Sequence, residues 1–70
     1  MDELRKQIAQ RLKLFREQNK LSQSELSRKT GIGQTQISRF EAGICIPTII
    51  DCMKLADFYD ITLDDLLGRA

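Results

Sequence analysis

Seventy residues, 41% of them hydrophobic, with a net charge of +1, describe one small domain and exclude a disordered chain. No apolar run approaches the roughly 20 residues that cross a bilayer, and the opening MDELRKQ lacks the apolar stretch of a secretion signal, so a cytoplasmic protein with no membrane partner is expected. Histidine is absent and Cys45 and Cys52 stand alone, which argues against a metal site and, with no secretion signal, against a disulfide.

The near-neutral total hides a division. Residues 1–40 carry a net +5 and residues 41–70 a net −4, so one end can meet an anion while the other turns away from it. Valine is absent, no stretch alternates as a strand would, and the apolar spacing is helical throughout.

The first helix is predicted from about Asp2 to Asn19, with Leu4, Ile8, Leu12 and Phe15 as its apolar stripe and Asp2 and Glu3 suited to its N-terminal dipole. Ser22–Gln23–Ser24–Glu25 reads as a capping box, so a second helix starts near Gln23, with Leu26 inward and Ser27 small enough for close packing. It ends at Lys29–Thr30, where Gly31 can take the left-handed conformation. Ile32 is the one apolar residue of the following turn and is expected to plug the space between its flanking helices.

A third helix is predicted from Gln34 to Ala42, stopping at Gly43, with Ile37 and Phe40 facing the core and residues 34, 35, 38 and 39 on the other side. Pro47 suits the first turn of a fourth helix that runs to about Tyr59, with Ile49, Cys52, Leu55, Ala56 and Tyr59 as its inner stripe. Thr62–Leu63–Asp64–Asp65 opens a last short helix through Leu67, ended by Gly68. The expected fold is all-α, a compact five-helix domain covering residues 1–70.

Residues 22–42, helix, glycine turn, helix, have the length and order of a helix-turn-helix. The outer face of the third helix is polar but unlike the lysine and glutamate filling of a merely solvated surface: it carries glutamine, threonine, serine and arginine. Such side chains can hydrogen-bond base edges in a major groove, which admits one helix.

The chain resembles the phage-repressor (Cro/repressor-like) family of helix-turn-helix domains, with its lambda-repressor-like fold. The resemblance rests on Leu21–Ser22–Gln23, Glu25–Leu26, Gly31–Ile32, Ile37–Ser38, Glu41–Ala42–Gly43, Pro47, Leu55–Ala56 and Ile61 through Leu67, and spans about residues 8 to 68. It implies sequence-specific binding of double-stranded DNA by a homodimeric transcriptional regulator, a repressor, on a palindromic or pseudo-palindromic operator. It places Gln34, Thr35, Ser38 and Arg39 against bases and Gln23 against a phosphate, with Gln36 to the side as a second phosphate contact. It implies an internal ion pair between Arg16 and Glu41 and a dimer contact near Tyr59, Ile61, Leu63 and Leu67. Arg11, Lys13, Lys20, Arg28 and Lys29 are further candidates for phosphate.

One feature departs from the family pattern. Where the family has basic or polar residues after the third helix, this chain has Ile44–Cys45–Ile46, which could pack under the loop, contact a second subunit or meet a regulatory protein partner. A protein-interaction module on the same fold is therefore the alternative reading. An enzyme is the weakest one: there is no histidine, no cofactor fingerprint, and Gly31 and Gly33 only punctuate helices.

Overall fold

A computed structural model describes residues 2–69 of the chain. Five helices follow one another: α1 (Asp2–Gln18), α2 (Gln23–Thr30), α3 (Gln34–Glu41), α4 (Ile49–Tyr59) and α5 (Leu63–Leu67). There is no strand among the described residues.

Local chemistry sets the ends. The Ser22 hydroxyl accepts from the Glu25 amide at 3.0 Å while Glu25 Oε1 accepts from the Ser22 amide at 3.0 Å, which closes the capping box of α2. The bond from the Ser22 amide first, and the Ser22 hydroxyl second, hold the Glu25 carboxyl below its ordinary pKa. Gly31 then takes φ 79°, a left-handed conformation that a side chain would strain, and its amide reaches the Ser27 carbonyl at 2.8 Å. Thr48 and Thr62 cap α4 and α5 through their hydroxyls.

The core gathers one face of every helix: Leu12 from α1, Leu26 from α2, Ile37 and Phe40 from α3, Cys52, Leu55 and Ala56 from α4, and Leu66 from α5. Ile32 is buried between them from the turn. Around this core α1 packs on α3 and α5, α2 on α3 and α4, and α4 on α5.

Several expectations are corrected. Pro47 lies before the cap and outside the first turn of α4: Thr48 is the N-cap and the helix starts at Ile49, because the threonine hydroxyl satisfies the Asp51 amide at 3.1 Å. Pro47 is buried just ahead of it. That start turns Ile49 outward, 63% exposed, so the inner stripe is Cys52, Leu55, Ala56 and a half-buried Tyr59. Leu4 is 49% exposed, because the packed part of α1 begins at Ile8 and Ala9. The ends of α1 and α3 fall one residue short of expectation, with Ala42 as the C-cap of α3.

Tyr59 stacks on Phe15 with ring centroids 5.5 Å apart, and its hydroxyl is buried without a hydrogen-bond partner. Burial first, then the nearby Glu41 charge, pushes its pKa from 10.0 up to about 12, against the opposing pull of Arg16. A raised folded pKa gives stability that is complete below the unfolded value of 10.0 and lost as pH climbs through about 12. Tyr59→Phe removes that alkaline loss. At neutral pH it is expected to be neutral or to stabilise by up to about 1 kcal/mol, since no bond is broken and a desolvated hydroxyl disappears. Urea melts at pH 7 and above pH 10 check both points.

Candidate nucleic-acid interface

The sequence of α3 divides it into two faces. Ile37 and Phe40, 2% and 4% exposed, pin its inner side. Gln34, Thr35, Ser38 and Arg39 are all exposed on the outer side. They share one open concavity of about 390 Å³ with Gln23 of α2. The structure thus brings four side chains of one helix together with the first residue of the preceding one. Gln36 is exposed but does not line the concavity.

Hydrogen-bonding capacity is concentrated there. Gly33, the N-cap of α3, offers no side-chain cap, so the first-turn amides of α3 have no side-chain acceptor from it. In α2 the capping box satisfies the Glu25 amide, leaving the earlier N-terminal amides beside Gln23 without that bond. Exposed glutamine and arginine add bidentate donors and acceptors of the kind that match base edges.

Behind the concavity lies a polar network that fixes the angle of the site. Arg16 Nε and Nη2 donate to Glu41 Oε2 and Oε1 at 2.8 and 2.9 Å, and Arg16 Nη1 donates to the Leu21 carbonyl at 2.8 Å. This two-pronged pair joins α1 to the end of α3, with side chains 13% and 5% exposed. The hydrogen bond to Glu41 holds the Arg16 pKa above its ordinary value.

Gln23 Nε2 also donates to Glu41 Oε1, at 3.2 Å. The amide at the front of the concavity is therefore tethered to the ion pair at its back. Sequence reasoning missed this bond, since a pairing 18 residues apart has no local spacing signature. Charge pattern alone could have suggested only that Glu41 had more than one donor nearby.

The other candidates fall elsewhere. Lys13, Lys20, Arg28 and Lys29 are exposed on α1, its C-terminal turn and α2. Arg11 is turned to structure: it donates to the Asp65 carbonyl, and its guanidinium lies 5.0 Å from the Phe15 ring centroid. Tyr59, Ile61, Leu63 and Leu67 are half-buried and pack against the core. Ile44, Ile46, Ile49, Ile50 and Met53 instead stand out, from 46% to 65% exposed, along the α3–α4 loop and the first turns of α4. Among the described residues, no group of side chains could hold a metal ion and no helix is long and apolar enough to cross a membrane.

Comparison with known proteins agrees with this geometry. A family model described as helix-turn-helix matches residues 12–66. The cryptic phage CTXphi transcriptional repressor RstR of Vibrio cholerae is 32% identical over 62 residues, which cover 89% of this chain and 55% of that protein. The uncharacterized HTH-type transcriptional regulator YobD of Bacillus subtilis is 34% identical over 84% of this chain and 53% of its own length. Antitoxin HipB of Escherichia coli is 37% identical over 81% of this chain and 65% of its own. The chain thus spans between 53% and 65% of these relatives. No solved structure matches it significantly. With most of its length inside the family model and its helices in the order that family requires, the chain belongs to the helix-turn-helix family of DNA-binding transcriptional regulators.

Proposed function

We propose that the chain binds double-stranded DNA sequence-specifically as a homodimer, with α3 in the major groove, and acts as a cytoplasmic transcriptional repressor. The observation that carries this reading is the shared concavity of Gln23, Gln34, Thr35, Ser38 and Arg39. Glutamine can grip adenine and arginine can grip guanine through two bonds each, while threonine and serine offer hydroxyls. Gln23 reaches a phosphate of the flanking backbone, and Gln36 meets backbone from the side. The RstR relative is named a repressor, which suits that direction of regulation.

One helix of this length buries too little surface to discriminate a site within a genome, which favours two copies. A two-fold pair would read half-sites about 34 Å apart on a palindromic or pseudo-palindromic operator. Tyr59, Ile61, Leu63 and Leu67 have only their free edges left for a partner, since each also packs on the core.

Arg39→Ala is expected to weaken the specific site by about 1–3 kcal/mol and to relax preference at one base pair. Gln23→Ala should weaken all duplexes alike, because a phosphate carries no sequence. Titration of specific and random duplexes separates the two patterns. Equal losses on both duplexes for Arg39→Ala would overturn its base-reading role.

The aliphatic surface of the α3–α4 loop and α4 favours a second reading, an interaction module for a regulatory protein, and one relative is named an antitoxin. Salt-dependent duplex binding by the unmodified chain decides between them, and Ile49→Asp, at an exposed position, tests what that surface meets. Weaker pairing of the chain and weaker DNA binding together place that surface in the dimer. Unchanged DNA binding assigns it to another protein.

A further inference from the structure

The loop after α3, Ile44–Cys45–Ile46, carries no charge. The structure brings basic residues to that place from a different helix. Arg5 and Lys6, near the start of α1, border a shallow depression whose other lining residues are Ala42 and Gly43 at the end of α3. Among the described residues, no carboxylate lines it. We propose that this depression is a second phosphate site, at which Arg5 and Lys6 hold the DNA backbone beside the C-terminal end of α3.

The reason lies in two helical rows. On α3, Ser38 and Ala42 are one turn apart, so Ala42 continues the outer face that carries Gln34, Thr35, Ser38 and Arg39. Its methyl side chain leaves that end open, and it is exposed. On α1, Arg5, Ala9, Leu12 and Arg16 recur at spacings of four, three and four. Ala9 and Leu12 of this row are buried, which turns the row toward the packed side of α1, and Arg5 meets the end of α3 at the depression.

The spacing suits a groove. Ala42 lies about 12 Å along the helix from Gln34 at the ordinary rise. The major groove is also about 12 Å wide. The outer row is thus about as long as the groove is wide, so its Ala42 end comes within side-chain reach of a backbone when α3 is seated there. Gln23 lies along the outer row with its amide bonded to Glu41, and Arg5 with Lys6 stand beyond the Ala42 end. Both cations are exposed, and neither belongs to the Arg16–Glu41 ion pair. Their long side chains can follow a phosphate as point charges or as a guanidinium fork.

This inference rests on the DNA-binding reading. The test is duplex binding by the full chain across a salt series, for the unmodified chain, Arg5→Ala, Lys6→Ala and the double variant. Lys54→Ala, on the outer face of α4, controls for lost net charge. Each single variant is expected to flatten the log–log salt slope by about 0.9 and the double by about twice that. Specific and random duplexes should weaken by the same factor, with thermal unfolding unchanged. A double variant with the slope of the unmodified chain, or no flatter than Lys54→Ala, overturns the proposal while Arg39→Ala can still behave as a base contact. An unmodified chain with no salt-dependent duplex binding overturns both readings together.

Discussion

Glu41→Ala is expected to destabilise the fold by about 3 kcal/mol, the lower end of the cost of breaking a buried ion pair from one side. Glu41 accepts both prongs of Arg16 and the Gln23 amide, and its side chain is 5% exposed. Its removal leaves the Arg16 guanidinium, itself 13% exposed, with the Leu21 carbonyl as its remaining partner. For a domain of this size each kcal/mol moves the melting midpoint by roughly 4–8 °C, so the drop should be easy to read in a thermal melt. The same change frees Gln23, so affinity should fall on all duplexes alike. Glu41→Gln keeps an acceptor and should lose less. A loss below about 1 kcal/mol for Glu41→Ala would put the pair in the class of ordinary surface pairs, which hold little.

Phe40→Ala is the second large effect. Phe40 is 4% exposed and holds α3 from behind. Truncating a buried phenylalanine costs about 3–5 kcal/mol, through lost burial and the cavity left behind. A chain of this length holds on the order of 4–10 kcal/mol in all, so the loss is a large share of its stability and the melting midpoint should fall by at least about 12 °C. Phe40→Leu fills most of the space and is expected to cost about 1.5 kcal/mol or less. It should keep DNA binding at 25 °C, since every outward side chain of α3 is unchanged. Binding lost by Phe40→Leu with its fold retained would mean that Phe40 does more than anchor the helix.

The two large effects also show what was legible in the residues and what was not. Caps are local, so Ser22 with Glu25, Gly31 and Gly68 could be read from short stretches, and each lies where such chemistry would put it. The faces of α3 followed from spacing alone, with Ile37 and Phe40 inward. Pro47 marks a helix start without fixing which of its neighbours is the cap. The hydroxyl of Thr48 won, and Ile49 went outward with that choice. Leu4 has the period of a core residue, but nothing in the period says how far along α1 the packing extends. The tether from Gln23 to Glu41 and the approach of Arg5 to Gly43 depend on helices placed side by side, and periodicity within one helix holds no record of its neighbour.

The outward row of α3 as a reader of bases is tested most directly by selecting bound duplexes from a random pool, with the unmodified chain and with Arg39→Ala in parallel. The expected result is a two-fold symmetric motif with half-sites about one helical turn apart, and for Arg39→Ala the same motif with its preference lost at one base pair of each half. No enrichment, or an identical motif from both proteins, would contradict it.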